Sequence, residues 1–264
     1  MSTQPLIGRS ALVTASSRYT GAFIARAMAR AGARIAIHYF GSKDKAEALA
    51  AQLTDEGCEV ATFGADGRNA ADLRRMAAEI KQQWGGVDIL VNNLGPYSDV
   101  PFLELPEEQW DWIMNTNLKA PYVLAQEFGP GMIERGWGRV INISAASAFS
   151  YTHSIYGLSK AALLHLTAVL AGELAPHVTV NALAPGQIED SELIDTIDPN
   201  YKRTLREQSP LKKLVTRQQI ADVILALCGD MFETTTGQTI RMDAGWSIRS
   251  TSYDVGAVEF EEGE

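Results

Sequence analysis

Short apolar runs alternate with amphipathic stretches along almost the whole chain. Residues 10–14, 34–38, 59–63, 88–92, 138–143, 178–182 and 239–243 read as strands. Several are apolar at consecutive positions, the pattern of parallel strands covered on both faces. Between them, helical spacing predicts helices over 21–31, 43–56, 70–84, 107–127, 155–174 and 217–227. Glycines at 32, 57 and 85–86 mark stops, and Pro121 predicts a break or kink. Strands alternating with helices predict a doubly wound α/β domain on a parallel sheet. There is no internal repeat and no linker, so residues 1–264 read as one domain with an acidic tail over 247–264. The longest stretch of mixed character, 187–210, follows a strand end and is expected to carry function.

Composition narrows the function classes. The net charge of −9 argues against a nucleic-acid surface. Asp254, Glu259, Glu261, Glu262 and Glu264 lie in the tail, with no Lys or Arg after Arg249, so the body is only mildly acidic. Cys58 and Cys228 are isolated and lack metal or redox spacing, which suggests a reducing cytoplasm. No metal site is expected. Residues 1–7 carry no signal segment, and no apolar run reads as long enough to span a bilayer, so no membrane partner is expected.

Two places carry candidate chemistry. The first strand, the turn 15–20 and the following helix form a β-turn-α-β opening of Rossmann-like type. Such a turn aims helix N–H groups at a phosphate. Farther on, Tyr156 and Lys160 are four apart on one helix face. A free phenol titrates near 10, and a neighbouring ammonium is expected to lower that value and fit the Tyr for proton transfer to or from a carbonyl or alcohol oxygen.

With these pieces in order, the chain resembles the short-chain dehydrogenase/reductase family, close to its 3-oxoacyl-carrier-protein reductase type. The resemblance runs from residue 6 to about 246. It rests on Asn92-Asn93-Leu94-Gly95, on Asn117, on Tyr156 with Lys160, on Asn181-Ala-Leu-Ala-Pro185-Gly186, and on Thr236-Gly237-Gln238 with Asp243-Ala-Gly245. It implies a cytoplasmic homotetramer that moves a hydride between nicotinamide and a small carbonyl or alcohol substrate. Tyr156 would be the general acid or base. Lys160 would tune it and hold the nicotinamide ribose, and Asn117 would hold a water beside Lys160. A Ser would bond the substrate oxygen. Thr14, Ser16, Arg18, Tyr19, Tyr39, Asp66, Asn92, Gly95, Tyr156, Lys160, Pro185, Gly186 and Ile188 would bind the cofactor.

Three departures from the family pattern matter. Its catalytic Ser column holds Ala145, so Ser144, twelve residues before Tyr156, is the first substitute and Ser147 the second. Its glycine-rich turn reads Thr14-Ala-Ser-Ser-Arg-Tyr-Thr-Gly21. Ala15 is expected to be mild with a negative φ, whereas Tyr19 brings a Cβ where the backbone normally approaches pyrophosphate. After Gly186, Gln187-Ile-Glu-Asp-Ser191 lacks the family's Thr, and Ser191 is its candidate replacement.

The cofactor expected is NADP(H). Strand two ends at Tyr39 with no carboxylate to bind a ribose 2′-OH, and Arg18, Ser42 and Lys43 suit a 2′-phosphate. His153 is expected near the pocket. His165 and His177 are expected in solvent or local packing, and Trp110, Trp112 and Trp137 in packing. A second reading comes from Tyr19 to Arg26, which partly resembles the halide pocket of cofactor-free halohydrin dehalogenases. Lys160, Asn92, Asn117 and Asp66 argue against it. A third reading is a cofactor-binding protein with little catalysis.

Overall fold

The computed structural model describes residues 4–150, 154–191 and 200–248. His153 and the tail beyond residue 248 lie outside these. Seven strands form one parallel sheet: β1 (Ser10–Val13), β2 (Arg34–Tyr39), β3 (Val60–Gly64), β4 (Ile89–Asn92), β5 (Gly138–Ile143), β6 (Val178–Pro185) and β7 (Thr239–Met242). Their order is β3-β2-β1-β4-β5-β6-β7. Side chains alternate between two cores, as a strand covered on both faces requires. Ala11 and Val13 enter one core and Leu12 the other; Ile89 and Val91 are separated from Leu90 in the same way.

The first core lies under α1 (Tyr19–Arg30), α2 (Lys43–Asp55) and a late helix, Arg217–Cys228. The second lies under α3 (Ala70–Trp84), α5 (Ala120–Glu134) and α6 (Ile155–Glu173). α4 (Glu107–Met114) precedes α5, and α7 (Tyr201–Gln208) precedes the late helix, here α8. Asn69 caps α3 by accepting from the N–H groups of Ala71 and Asp72. A reciprocal Thr216–Gln219 capping box starts α8.

The doubly wound expectation is met, and several local readings change. The single helix expected over 107–127 is α4, a π-helical turn at Asn115–Lys119, and α5. Pro121 stands in the first turn of α5, directly after the π-helical turn, and the winding changes there without the rod ending. α1 begins at Tyr19 instead of Gly21. The stretch 187–210 contains α7. Finally, α6 is 19 residues long and apolar enough by length and composition to cross a membrane, which overturns the expectation that no run was. It is a layer of the domain: Leu163, Thr167 and Leu170 are buried.

Candidate active site

The chain reverses direction across the sheet between β1 and β4, and a crevice opens beyond their carboxyl ends. A cleft of about 970 Å³ lies there. It is lined by Arg18, Tyr19, Tyr39, Asp66, Gly95, Ser144, Tyr156, Lys160, Pro185, Gly186, Ile188 and Ser191, which the sequence had pointed to.

At one end the β1–α1 turn keeps a glycine shape without the glycines. Ala15 and Tyr19 have φ of +50° and +52°. This overturns the expectation of a negative φ at Ala15. Gly21 survives because a Cβ there would collide with the Ala15 carbonyl oxygen and lie 2.8 Å from Asn93 Nδ2. The turn is held by His38, which had no signal beyond its place in an apolar strand. Its Nδ1 accepts from Ala15 N–H at 2.9 Å, and Nε2 donates to the Ala65 carbonyl at 3.0 Å. Burial holds His38 below the ordinary histidine range, so it is neutral, as this pair of bonds requires. The Tyr19 ring is half exposed, with Arg18 at 5.1 Å and Arg217 at 5.8 Å from its centre.

A left-handed backbone costs a non-glycine residue about 1–2 kcal/mol. Glycine loses part of that gain through its freer unfolded chain. Ala15→Gly is therefore expected to stabilise the protein by about 0.5–1 kcal/mol, read as a shifted urea midpoint. Tyr19→Gly should gain less, because the contacts with Arg18 and Arg217 go with the ring.

The Ser17 and Ser42 hydroxyls meet at 2.7 Å beside Arg18. Lys43 turns away, 3.4 Å from Glu47. Arg68, unremarked in the sequence, lines the same end and grips Asp66 through Nη2 at 2.7 Å and Nε at 2.9 Å. Its hydrogen bonds hold the Asp66 carboxyl below the usual carboxylate range.

Four expected site residues stand behind the cleft wall, because their side chains serve the frame. Thr14 Oγ1 accepts from the N–H groups of Asn93 and Leu94 at 2.8 and 3.2 Å. Ser16 Oγ donates to the Val13 carbonyl at 2.6 Å. Asn92 Nδ2 donates to Asn142 Oδ1, and Asn142 donates on to Thr167. Asn117 is fully buried; its Nδ2 donates to Ser159 Oγ at 2.9 Å and to the Pro96 carbonyl at 3.2 Å. Ser159 in turn donates to the Tyr156 carbonyl at 2.7 Å, so Asn117 ties the π turn to the start of α6.

At the other end Tyr156 and Lys160 share one face of α6, with Lys160 Nζ 5.6 Å from the phenol ring centre. Lys160 is 2% exposed. Its Nζ donates to the Ile143 carbonyl at 2.9 Å and to Leu94 at 3.2 Å. Burial pushes the ammonium down to about 7. Burial, and then the neighbouring Tyr97, push the Tyr156 phenol up to about 12. The expected lowering of Tyr156 by Lys160 is thus reversed, because desolvation opposes both charged forms.

The serine expectation changes too. Ser144 Oγ donates its proton to the Lys160 carbonyl at 2.9 Å and is spent there. Ser147 Oγ is buried in the cleft wall with no hydrogen-bond partner among the described residues. Trp112, expected in packing, lines the cleft, while Trp137 packs under Arg9 and Arg139 as expected.

A family model described as enoyl-(acyl carrier protein) reductase matches residues 15–247. The chain belongs to the short-chain dehydrogenase/reductase family. It is 35% identical over 242 residues to a 3-oxoacyl-[acyl-carrier-protein] reductase of Staphylococcus epidermidis, covering 90% of this chain and 99% of that one. It is 32% identical over 257 residues to a D-beta-hydroxybutyrate dehydrogenase of Rhizobium meliloti, covering 91% and 99%. A gluconate 5-dehydrogenase from Burkholderia cenocepacia, solved in complex with NADP and tartrate, superposes with a TM-score of 0.86 at 30% identity, over 94% of this chain and 98% of that one. As a short-chain dehydrogenase/reductase, this protein is an oxidoreductase that transfers hydride with a nicotinamide cofactor.

The cleft fits that cofactor. The turn keeps its left-handed shape, and no carboxylate stands at Tyr39. A Cβ at Gly186 would lie 2.9 Å from Asp243 Cα, so glycine lets the ends of β6 and β7 close together at the cleft.

Proposed function

We propose that this short-chain dehydrogenase/reductase is an NADPH-dependent carbonyl reductase, or an alcohol dehydrogenase in the reverse sense, with Tyr156 as its proton donor. The observation that carries the proposal is one cleft with two ends. One holds Arg18, Ser17 and Ser42 without a carboxylate at Tyr39, and the other holds Tyr156 and Lys160. Arg18 and the two hydroxyls suit a 2′-phosphate. When bound, the reduced nicotinamide would supply hydride to the carbonyl carbon. Tyr156 then gives its O–H proton to the carbonyl oxygen, and a phenol pushed up to about 12 keeps that proton at neutral pH. Ser147 Oγ, unpartnered in the wall, would turn into the cleft to donate to the same oxygen and orient it. Lys160 and Asn117 hold the start of α6 against the β4 and β5 loops.

Titrations of NADPH and NADH, followed by Trp fluorescence, test the cofactor choice. NADPH is expected to bind more tightly, and Arg18→Ala to narrow the difference by about 1–3 kcal/mol. Equal or tighter NADH binding would sink it. Ser147→Ala is expected to lower kcat by roughly 10²-fold, the loss of one oxyanion-type donor. Ser144→Ala should act chiefly on stability, since its bond is internal. The opposite order in kcat would return the role to Ser144. No halide release from a vicinal halohydrin is expected.

The reading includes a cytoplasmic homotetramer. Trp110, Tyr122 and Ile133 on α4 and α5 present apolar surface that suits association. Light scattering would check the assembly.

A further inference from the structure

We infer, building on the reductase reading, that the substrate is an uncharged or cationic carbonyl compound bearing an aromatic group, and that the cleft turns carboxylates away. At the Tyr156 end the cleft is lined by Tyr97, Asp99, Trp112, Tyr201, Leu205 and Trp246. The Tyr97 ring meets Tyr156 edge-on at 5.2 Å between centres. It is 61% exposed, open to whatever stands beside the reacting oxygen. The loop bearing it is fixed from two sides. Ser154 Oγ donates to the Ser98 carbonyl at 2.8 Å, and Gln109 Nε2 donates to Ser98 Oγ at 2.8 Å. The Trp246 backbone N–H donates to the Asp243 carbonyl at 3.0 Å, which holds this segment at the cleft. Fixed aromatic faces favour a flat ring, and their negative faces favour a cation over an anion.

Charge points the same way. Among the described residues lining the cleft, the cations are Arg18, Arg68 and Lys160. Arg18 and Arg68 belong to the Tyr39 end, and Lys160 is turned to two backbone carbonyls. Arg206 on α7 is paired with Glu189. Asp99, in the loop after β4, lines this end as well. A carboxylate would find no guanidinium fork here, and Asp99 would repel it.

The test uses two probes of one shape, methyl para-acetylbenzoate and para-acetylbenzoate, reduced with NADPH. The ester is expected to have about tenfold or higher kcat/KM, the lower end of what a local field does to an ionic substrate. Asp99→Lys should shrink or invert that ratio, which intrinsic reactivity of the probes cannot do. An acid reduced as well as the ester, or a ratio unmoved by Asp99→Lys, overturns the charge assignment. Cyclohexyl methyl ketone reduced as well as acetophenone overturns the aromatic part. If NADPH binds and no probe is reduced, the reductase reading fails by itself. The charge assignment is then decided by fluorescence titration of the two probes into the NADPH complex. Tighter ester binding supports it, and equal affinity overturns it.

Discussion

Replacing Tyr156 by Phe is expected to lower kcat by about 10²–10⁴-fold, the usual contribution of a positioned general acid. The substitution keeps the ring and its edge contact with Tyr97, and it removes only the proton that the carbonyl oxygen needs. Cofactor titration and thermal melting should stay near the parent, which separates lost chemistry from lost fold. Direction matters as well. A phenol pushed up to about 12 is a ready donor and a poor base at pH 7. Alcohol oxidation is therefore expected to speed up as pH rises through the alkaline range, whereas ketone reduction should not. A Phe variant within a few-fold of the parent would remove Tyr156 from the mechanism.

Lys160→Met is expected to abolish activity and yet stabilise the empty protein. Burial moves this lysine from 10.5 to about 7. Each unit is worth about 1.4 kcal/mol, so the penalty is on the order of 5 kcal/mol at pH 7. The sign follows from proton binding. Between pH 7 and 10.5 the unfolded chain holds a proton that the folded one lacks, so stability rises with pH and the penalty is full only below about 7. Methionine removes the charge but leaves the carbonyls of Leu94 and Ile143 unbonded, at about 1–2 kcal/mol each. The net gain at pH 7 is therefore expected to be about 1–3 kcal/mol and to turn into a loss toward pH 10, where the charge penalty is gone and the unbonded carbonyls remain. Urea midpoints at both pH values would check it. A variant less stable at pH 7 would mean that the two carbonyl bonds outweigh the buried charge.

The sheet was legible because buried parallel strands leave unbroken apolar runs such as Ala11-Leu12-Val13, and glycines punctuate the helices between. The Tyr156–Lys160 pair was legible because helical spacing alone puts both on one face. Backbone handedness was not. Ala15 and Tyr19 adopt a conformation that their side chains disfavour, and the His38 bond that holds the turn at Ala15 joins residues far apart in sequence. Spacing favoured Ser144 over Ser147, but the choice depends on which hydroxyl already has a partner. The depressed lysine depends on how deeply α6 packs, which no local pattern encodes.

The π-helical turn at Asn115–Lys119 has a consequence for the phase of the helix around it. One extra residue within a turn rotates everything beyond it by about 100° about the axis. α4 and α5 thus form one rod with a step in its winding. Before the step Ile113 is buried; beyond it Val123, Leu124 and Phe128 face the sheet. Asn117 sits on the step itself and reaches inward to Ser159. Without that residue the two stripes would fall out of phase. Either Asn117 would swing off α6, or the buried face of α5 would turn toward water.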